Sequence, residues 1–116
     1  MRRSLTRQER LRSSRDIKGL FVAARRVEWR GVKLLYKDNG SASTRFAVVV
    51  ARGCGGSVKR NREKRITREA YRSLKETVTP GFDLIFLIVR FGTLFADRRV
   101  AMGHLLGRAG LRSAVD

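Results

Sequence analysis

Arg60, Lys64, Arg68 and Arg72 stand four residues apart, and Lys75 follows close behind. Helical winding of about 100° per residue returns side chains at that spacing to one face. The result is a ridge of guanidinium and ammonium groups, and the chemistry such a ridge offers is phosphate binding. Guanidinium is planar and donates two parallel hydrogen bonds to an anion, whereas ammonium acts as a point charge. A bare ridge is destabilising. Arg60–Lys64, Lys64–Arg68 and Arg68–Arg72 are like-charge pairs, each costing roughly 0.2–0.5 kcal/mol, or about 1 kcal/mol together. Glu63, Glu69 and Glu76 fall outside the basic sector, so no carboxylate interleaves to relieve it. A lone helix of this kind can simply present a solvated basic face; segregation this complete fits an anionic partner better.

The stretch that carries the ridge, Ser57 to Thr77, reads SVKRNREKRITREAYRSLKET, with no proline and no glycine. Its strong helix formers predict one helix. Ile66, Ala70 and Leu74, with Val58 near the edge, form the opposite apolar stripe. Asn61 and Arg65 lie beside the basic side, and Arg62 leans toward the apolar flank, where it can brace the helix.

The rest of the chain is basic too. Its 116 residues carry a formal net charge of +17, with 21 Arg against 6 Lys. Hydrophobic residues make up 42%, enough for one folded domain and too many for a disordered basic tail. Nucleic acid is the first partner implied, and an anionic membrane surface the second. The longest apolar run, Leu84 to Val89, is far too short to span a bilayer, and no signal peptide or lipidation motif is visible. No membrane partner is expected. Cys54 is the single cysteine, which excludes an internal disulfide and a multi-thiolate metal site and fits a reducing cytoplasm. With one histidine, His104, and no tight group of acids, the local sequence lacks the ligands of a two-metal nuclease. His104 reads as a structural helix residue; no catalytic residue and no protein-bound metal is assigned.

In chain order, residues 1–12 read as a flexible basic arm. Ser13 or Ser14 caps a helix running to about Ala24, with Asp16 in its first turn and Ile17, Leu20, Phe21 and Ala24 as its apolar face. Arg26 to Lys37 reads as a strand segment broken near Gly31, and Thr44 to Ala51 as the next strand, paired antiparallel with it. Gly53-Cys54-Gly55-Gly56 turns into the basic helix, with Ser57 as its cap. These glycines fit neither the Walker spacing nor the dinucleotide fingerprint. After Pro80-Gly81, the continuous apolar run Phe82 to Arg90 predicts a strand covered on both faces and central in the sheet. Thr93 caps a last helix with Phe95, Met102, Leu105, Leu106 and Ala109 as its core stripe, and residues 111–116 fray. This order predicts a single-domain α+β sandwich.

Arg60-Asn61-Arg62, followed by Lys64-Arg65 and Arg68-Glu69, resembles the arginine–asparagine–arginine signature of the bacterial ribonuclease P protein subunit. Arg10-Leu11, Asp16-Ile17 with Phe21, Pro80-Gly81-Phe82-Asp83, His104-Leu105-Leu106 and Gly110-Leu111 extend the resemblance over nearly the whole chain. It implies an αβββαβα domain like the second domain of ribosomal protein S5, with a left-handed βαβ crossover against the usual right-handed rule. It also implies a non-catalytic subunit of a tRNA 5′-maturation endoribonuclease. The implied partners are ribonuclease P RNA, which with its bound Mg²⁺ carries the hydrolysis, and precursor tRNA, which loses its 5′ leader; no obligate protein partner is implied. By the same resemblance, Arg52, Lys59, Arg60, Asn61, Arg62, Lys64, Arg65, Arg68 and Arg72 would contact the RNA subunit. A leader-binding cleft between the first helix and the sheet would be lined by Arg12, Ile17, Phe21, Trp29, Val32 and Leu35. Composition and element order alone support a structural RNA-binding protein, such as a small ribosomal protein, equally well.

Overall fold

The computed structural model describes residues 7–112. Within them, helices α1 (Ser14–Ala23), α2 (Ser57–Leu74) and α3 (Phe95–Arg108) surround a sheet of strands β1 (Arg25–Trp29), β2 (Val32–Asp38), β3 (Arg45–Val50) and β4 (Phe82–Ile88). The spatial order β1-β2-β4-β3 turns the αβββαβα chain into an α+β sandwich with β4 inside the sheet. β4 runs antiparallel to β2 and parallel to β3. Its apolar run is covered by α1 on one face and by α2 and α3 on the other, as a doubly buried strand requires.

The expected antiparallel pairing of the Thr44–Ala51 strand with its predecessor is not found. β3 joins the sheet beside β4, through the α2 crossover. The inner place next to β2 goes to the strand that is apolar on both faces, and β3, with Arg45 and several half-exposed residues, takes the edge.

Side chains alternate between the two faces of the sheet. Val32, Leu34, Phe46, Leu84, Phe86 and Ile88 pack against Ala70, Tyr71 and Leu74 of α2 and Ala101, Met102, Leu105 and Leu106 of α3. Phe46 stacks on Tyr71 with ring centres 4.0 Å apart. On the other face Leu20 of α1 meets Leu11, Leu35 and Ile85. α1 starts as its sequence predicts, with the Ser13 hydroxyl accepting the Asp16 N–H at 3.3 Å.

α2 buries Glu63, Ile66, Thr67, Ala70, Tyr71 and Leu74, steps of three and four that define one face. Val58 does not join that face: it is 82% exposed, in a first turn of α2 that carries no buried residue. Two caps also differ from expectation. Gly56 rather than Ser57 precedes α2, Leu94 rather than Thr93 precedes α3, and neither cap makes a side-chain bond. Phe95, expected in the core, lies on the open first turn of α3 and is 43% exposed.

The chain ends are tied down further out than expected. Of the arm expected to be flexible, residues 1–6 lie outside the described residues. Arg7–Glu9 forms a 3-10 turn, Arg10 bridges Phe46, and the buried Leu11 donates its N–H to the Phe46 carbonyl at 2.9 Å. An apolar side chain and a backbone hydrogen bond together anchor this segment on the β3 edge. Fraying does not begin at Leu111 either, which is buried and accepts the Thr79 N–H, while Arg112 bridges Val78. Residues 113–116 lie outside the described residues. Among the described residues no helix is long and apolar enough to cross a membrane.

Candidate nucleic-acid interface

The basic ridge of α2 faces outward beyond the β3 edge, and its two ends bend back onto the protein. Arg60 donates to the Val50 carbonyl at 3.1 Å and the Ala51 carbonyl at 3.4 Å, the last acceptor of β3 and the one just beyond it. At the other end Lys75 Nζ sits 3.1 and 3.2 Å from the two carboxylate oxygens of Glu9, and Arg72 pairs with Glu69 at 3.3 Å. The middle is bare. Lys59, Asn61, Arg65 and Arg68 are exposed and Lys64 is half-buried. None of these side chains has a hydrogen-bond or ion-pair partner among the described residues. Arg52 is exposed in the loop that enters α2.

Arg62 is half-buried. Its guanidinium lies 3.3 Å from Glu63 and 3.5 Å from the Thr93 carbonyl, so it braces α2 against the loop before α3. That loop covers a buried ion pair which sequence reasoning missed. Glu63 and Arg98 are 2% and 1% exposed, and their Oε1 and Nη2 atoms are 2.8 Å apart. Arg98 also donates to the Thr67 hydroxyl at 2.8 Å, and Glu63 accepts the Gly92 N–H at 2.8 Å. Burial pushes the Glu63 carboxyl up. The Gly92 hydrogen bond, then the Arg98 hydrogen bond and charge, outweigh it and leave the group below its ordinary value. A signal for Arg98 was present: it is the first member of the series 98, 101, 102, 105, 106 on the buried face of α3.

Beside α1 the structure brings together some of the residues expected to line a cleft and adds others. Ile17 and Phe21 are half-buried on α1, and Leu35 lies fully buried beneath them. Ala47 and Val49 of β3 and Leu87 of β4 flank them, half-buried, as the apolar floor that the sequence reading omitted. Arg12 is exposed just before α1. Trp29 and Val32 are not beside α1. Val32 and Leu35 are an odd number of residues apart on one strand, so they point to opposite faces. Val32 is 1% exposed in the core under α3, and Trp29, its cross-strand partner, shares that face. A charged network borders these residues. Arg45 binds Asp83 through two hydrogen bonds of 2.9 and 2.7 Å and lies 3.5 Å from Asp16, while Asn39 donates to Asp83 at 2.9 Å. Burial raises the Asp83 carboxyl, and the bonds from Arg45 and Asn39 bring it below its ordinary value.

Comparison with known proteins agrees with this architecture. A family model described as Ribonuclease P matches residues 5–108. The ribonuclease P protein component of Thermotoga petrophila is 36% identical over 87 residues, covering 75% of this chain and 74% of that one. That of Herpetosiphon aurantiacus is 34% identical over 110 residues, covering 92% and 89%. Among solved structures, the RNase P protein of Thermotoga maritima superimposes with a TM-score of 0.77 at 30% identity, covering 86% of this chain and 96% of that one. The Staphylococcus aureus RNase P protein, at 20% identity, shares the fold with a TM-score of 0.79 over 90% of this chain and 98% of that one. A match spanning nearly the whole domain, with the ridge and the crossover both inside it, settles the kinship: this chain belongs to the ribonuclease P protein family.

Proposed function

We propose that this chain works in the cytoplasm as the protein subunit of a ribonucleoprotein that removes the 5′ leader from precursor tRNA, with hydrolysis carried by the RNA subunit. The observation that supports this most directly is the bare middle of the α2 ridge, where Lys64, Arg65 and Arg68 have no partner among the described residues. Folded RNA brings phosphates to that ridge and releases counterions on docking, which supplies both affinity and its salt dependence. Arg60 and Arg62, held by the protein itself, keep α2 fixed so that the ridge is presented as a rigid surface. The precursor tRNA leader lies in the cleft beside α1, with Ile17, Phe21, Val49 and Leu87 against its bases and Arg12 reaching its phosphates. The Mg²⁺ needed for hydrolysis belongs, in this reading, to the RNA.

Reconstitution tests the proposal. The purified chain alone should leave precursor tRNA intact, and together with a bacterial ribonuclease P RNA it should restore leader removal at low Mg²⁺. Cleavage by the chain alone, or no stimulation of the RNA, overturns it. Neutralising Lys64, Arg65 and Arg68 together should lower the slope of log affinity against log salt by roughly 2–3, at about 0.9 per lost duplex phosphate contact. An unchanged slope would remove the ridge as the docking surface.

A further inference from the structure

We propose that the β1 edge and the C-terminal half of α3 form a second RNA contact, one that takes an unpaired strand. It does not depend on the chain acting in tRNA maturation. β1 and β3 are the two outer strands of the sheet, so this surface lies across the sheet from the α2 ridge. It is also on the opposite sheet face from α1, because Trp29 shares the α3 side with Val32.

Three planar groups meet there, the His104 ring tilted by 33° to that of Trp29. The Trp29 ring centre lies 4.1 Å from that of His104, and the Arg30 guanidinium sits 4.3 Å from the Trp29 ring centre. His104 and Arg30 are both exposed, and each is the kind of surface on which unpaired bases lie. A duplex hides those base faces; a single strand offers them. Arg108, one turn beyond His104, is exposed and donates to the Glu28 carbonyl at 3.2 Å. Arg90 is exposed on the other side of the hairpin tip, where a Cβ placed on Gly31 would come within 2.2 Å of the Arg90 Cβ. Three arginines thus gather here, Arg30 within the group and Arg90 and Arg108 beside it, against the exposed carboxylates of Glu28 and Asp97.

Arg30 itself is the sharper observation. With φ of +51° it is the first of two left-handed residues in the β1–β2 turn, Gly31 following at +77°. Such a turn favours Asn-Gly, and a long side chain at its first position is strained. The hairpin does not require arginine there, and the core does not either, since the side chain is exposed. Strain retained at an exposed cation beside an aromatic stack points to a ligand.

The chain has one tryptophan, so intrinsic fluorescence reads this site directly. The probe is an unstructured oligoadenylate of about ten nucleotides, within the span one binding surface covers. Titrating it into the full chain should change Trp29 emission saturably. The Arg30→Asn, Arg108→Gln double variant should weaken that signal by about five- to tenfold, the worth of one stacked base. Its salt slope should fall by about 1–1.5, at roughly 0.7 per single-strand phosphate contact. Asparagine suits the turn better than arginine and offsets the exposed Arg108–Glu28 hydrogen bond that is lost, so the variant should melt within a few degrees of the parent and unfolding cannot mimic the loss. Neutralising Lys64, Arg65 and Arg68 should leave the Trp29 signal in place. Labelled oligonucleotide that fails to bind, or binds with no change in Trp29 emission, overturns the proposal; so does a double variant that binds like the parent.

Discussion

Glu63 sits in the middle of a basic helix and yet contributes nothing to its outer charge. It is buried, and the Arg98 guanidinium and the Gly92 N–H saturate it. Removing one partner of such a pair leaves the other charge buried alone, so Glu63→Gln should destabilise the fold by about 3–5 kcal/mol in urea unfolding. The sign of its pH dependence follows from its lowered carboxyl. The folded group holds its proton less tightly than the unfolded one, whose ordinary value is about 4.3. Its stabilisation is therefore complete above that value and is lost as pH falls through the folded one. Parent protein should lose stability steeply below about pH 4, and Glu63→Gln should flatten that part of the profile. Arg68→Ala, on the bare ridge, should by contrast change stability by no more than about 0.5 kcal/mol. Charge pattern alone could place Glu63 outside the basic sector but could not say inside what. Only the α3 periodicity 98, 101, 102, 105, 106 marks Arg98, rather than its neighbour Arg99, as the partner.

Helices were easier to read than strands because helical periodicity is local. α1 and α2 begin and end within a residue or a few of their expected limits, and β4 is central as its unbroken apolar run demands. Strand pairing is a contest among distant segments, and sequence neighbours lost it: β3 pairs with β4, not β2. Face assignment failed where a residue count was overlooked, so Trp29 and Val32 went to the α3 side while Leu35 stayed under α1. The N-terminal segment failed for another reason. Its basic residues masked one apolar anchor, Leu11, which is 3% exposed against Leu20, Leu35 and Ile85. Leu11→Ala should therefore cost about 2–5 kcal/mol, as truncation of a buried leucine does. The Leu11 amide, bonded to Phe46, should exchange with solvent far more slowly than an open chain's. Exchange at the open-chain rate would show that the arm leaves the β3 edge in solution.

A protein of 36 × 35 × 26 Å holding a net charge of +17 must contend with its own field. Ten carboxylates face twenty-seven basic side chains, so ion pairing cannot neutralise the surface however it is arranged. In about 10 mM salt the Debye length is near 30 Å, comparable to the molecule, and nearly every arginine repels every other; at 150 mM it is near 8 Å and only neighbours interact. Among the described residues the pair buried deepest, Glu63 with Arg98, is shielded from that change by the protein around it. Raising salt across this range should thus relieve repulsion more than it weakens attraction. If the relief is about 1–2 kcal/mol, the melting temperature of the free protein should rise by roughly 4–8 °C. RNA affinity should fall over the same range, because each released counterion gains less entropy in more concentrated salt. The opposite signs are the test: melting and RNA titration of one preparation across one salt series. A melting temperature that falls with salt would mean that surface ion pairs dominate the fold, and the ridge on α2 would then be held by its own protein rather than left open for phosphate.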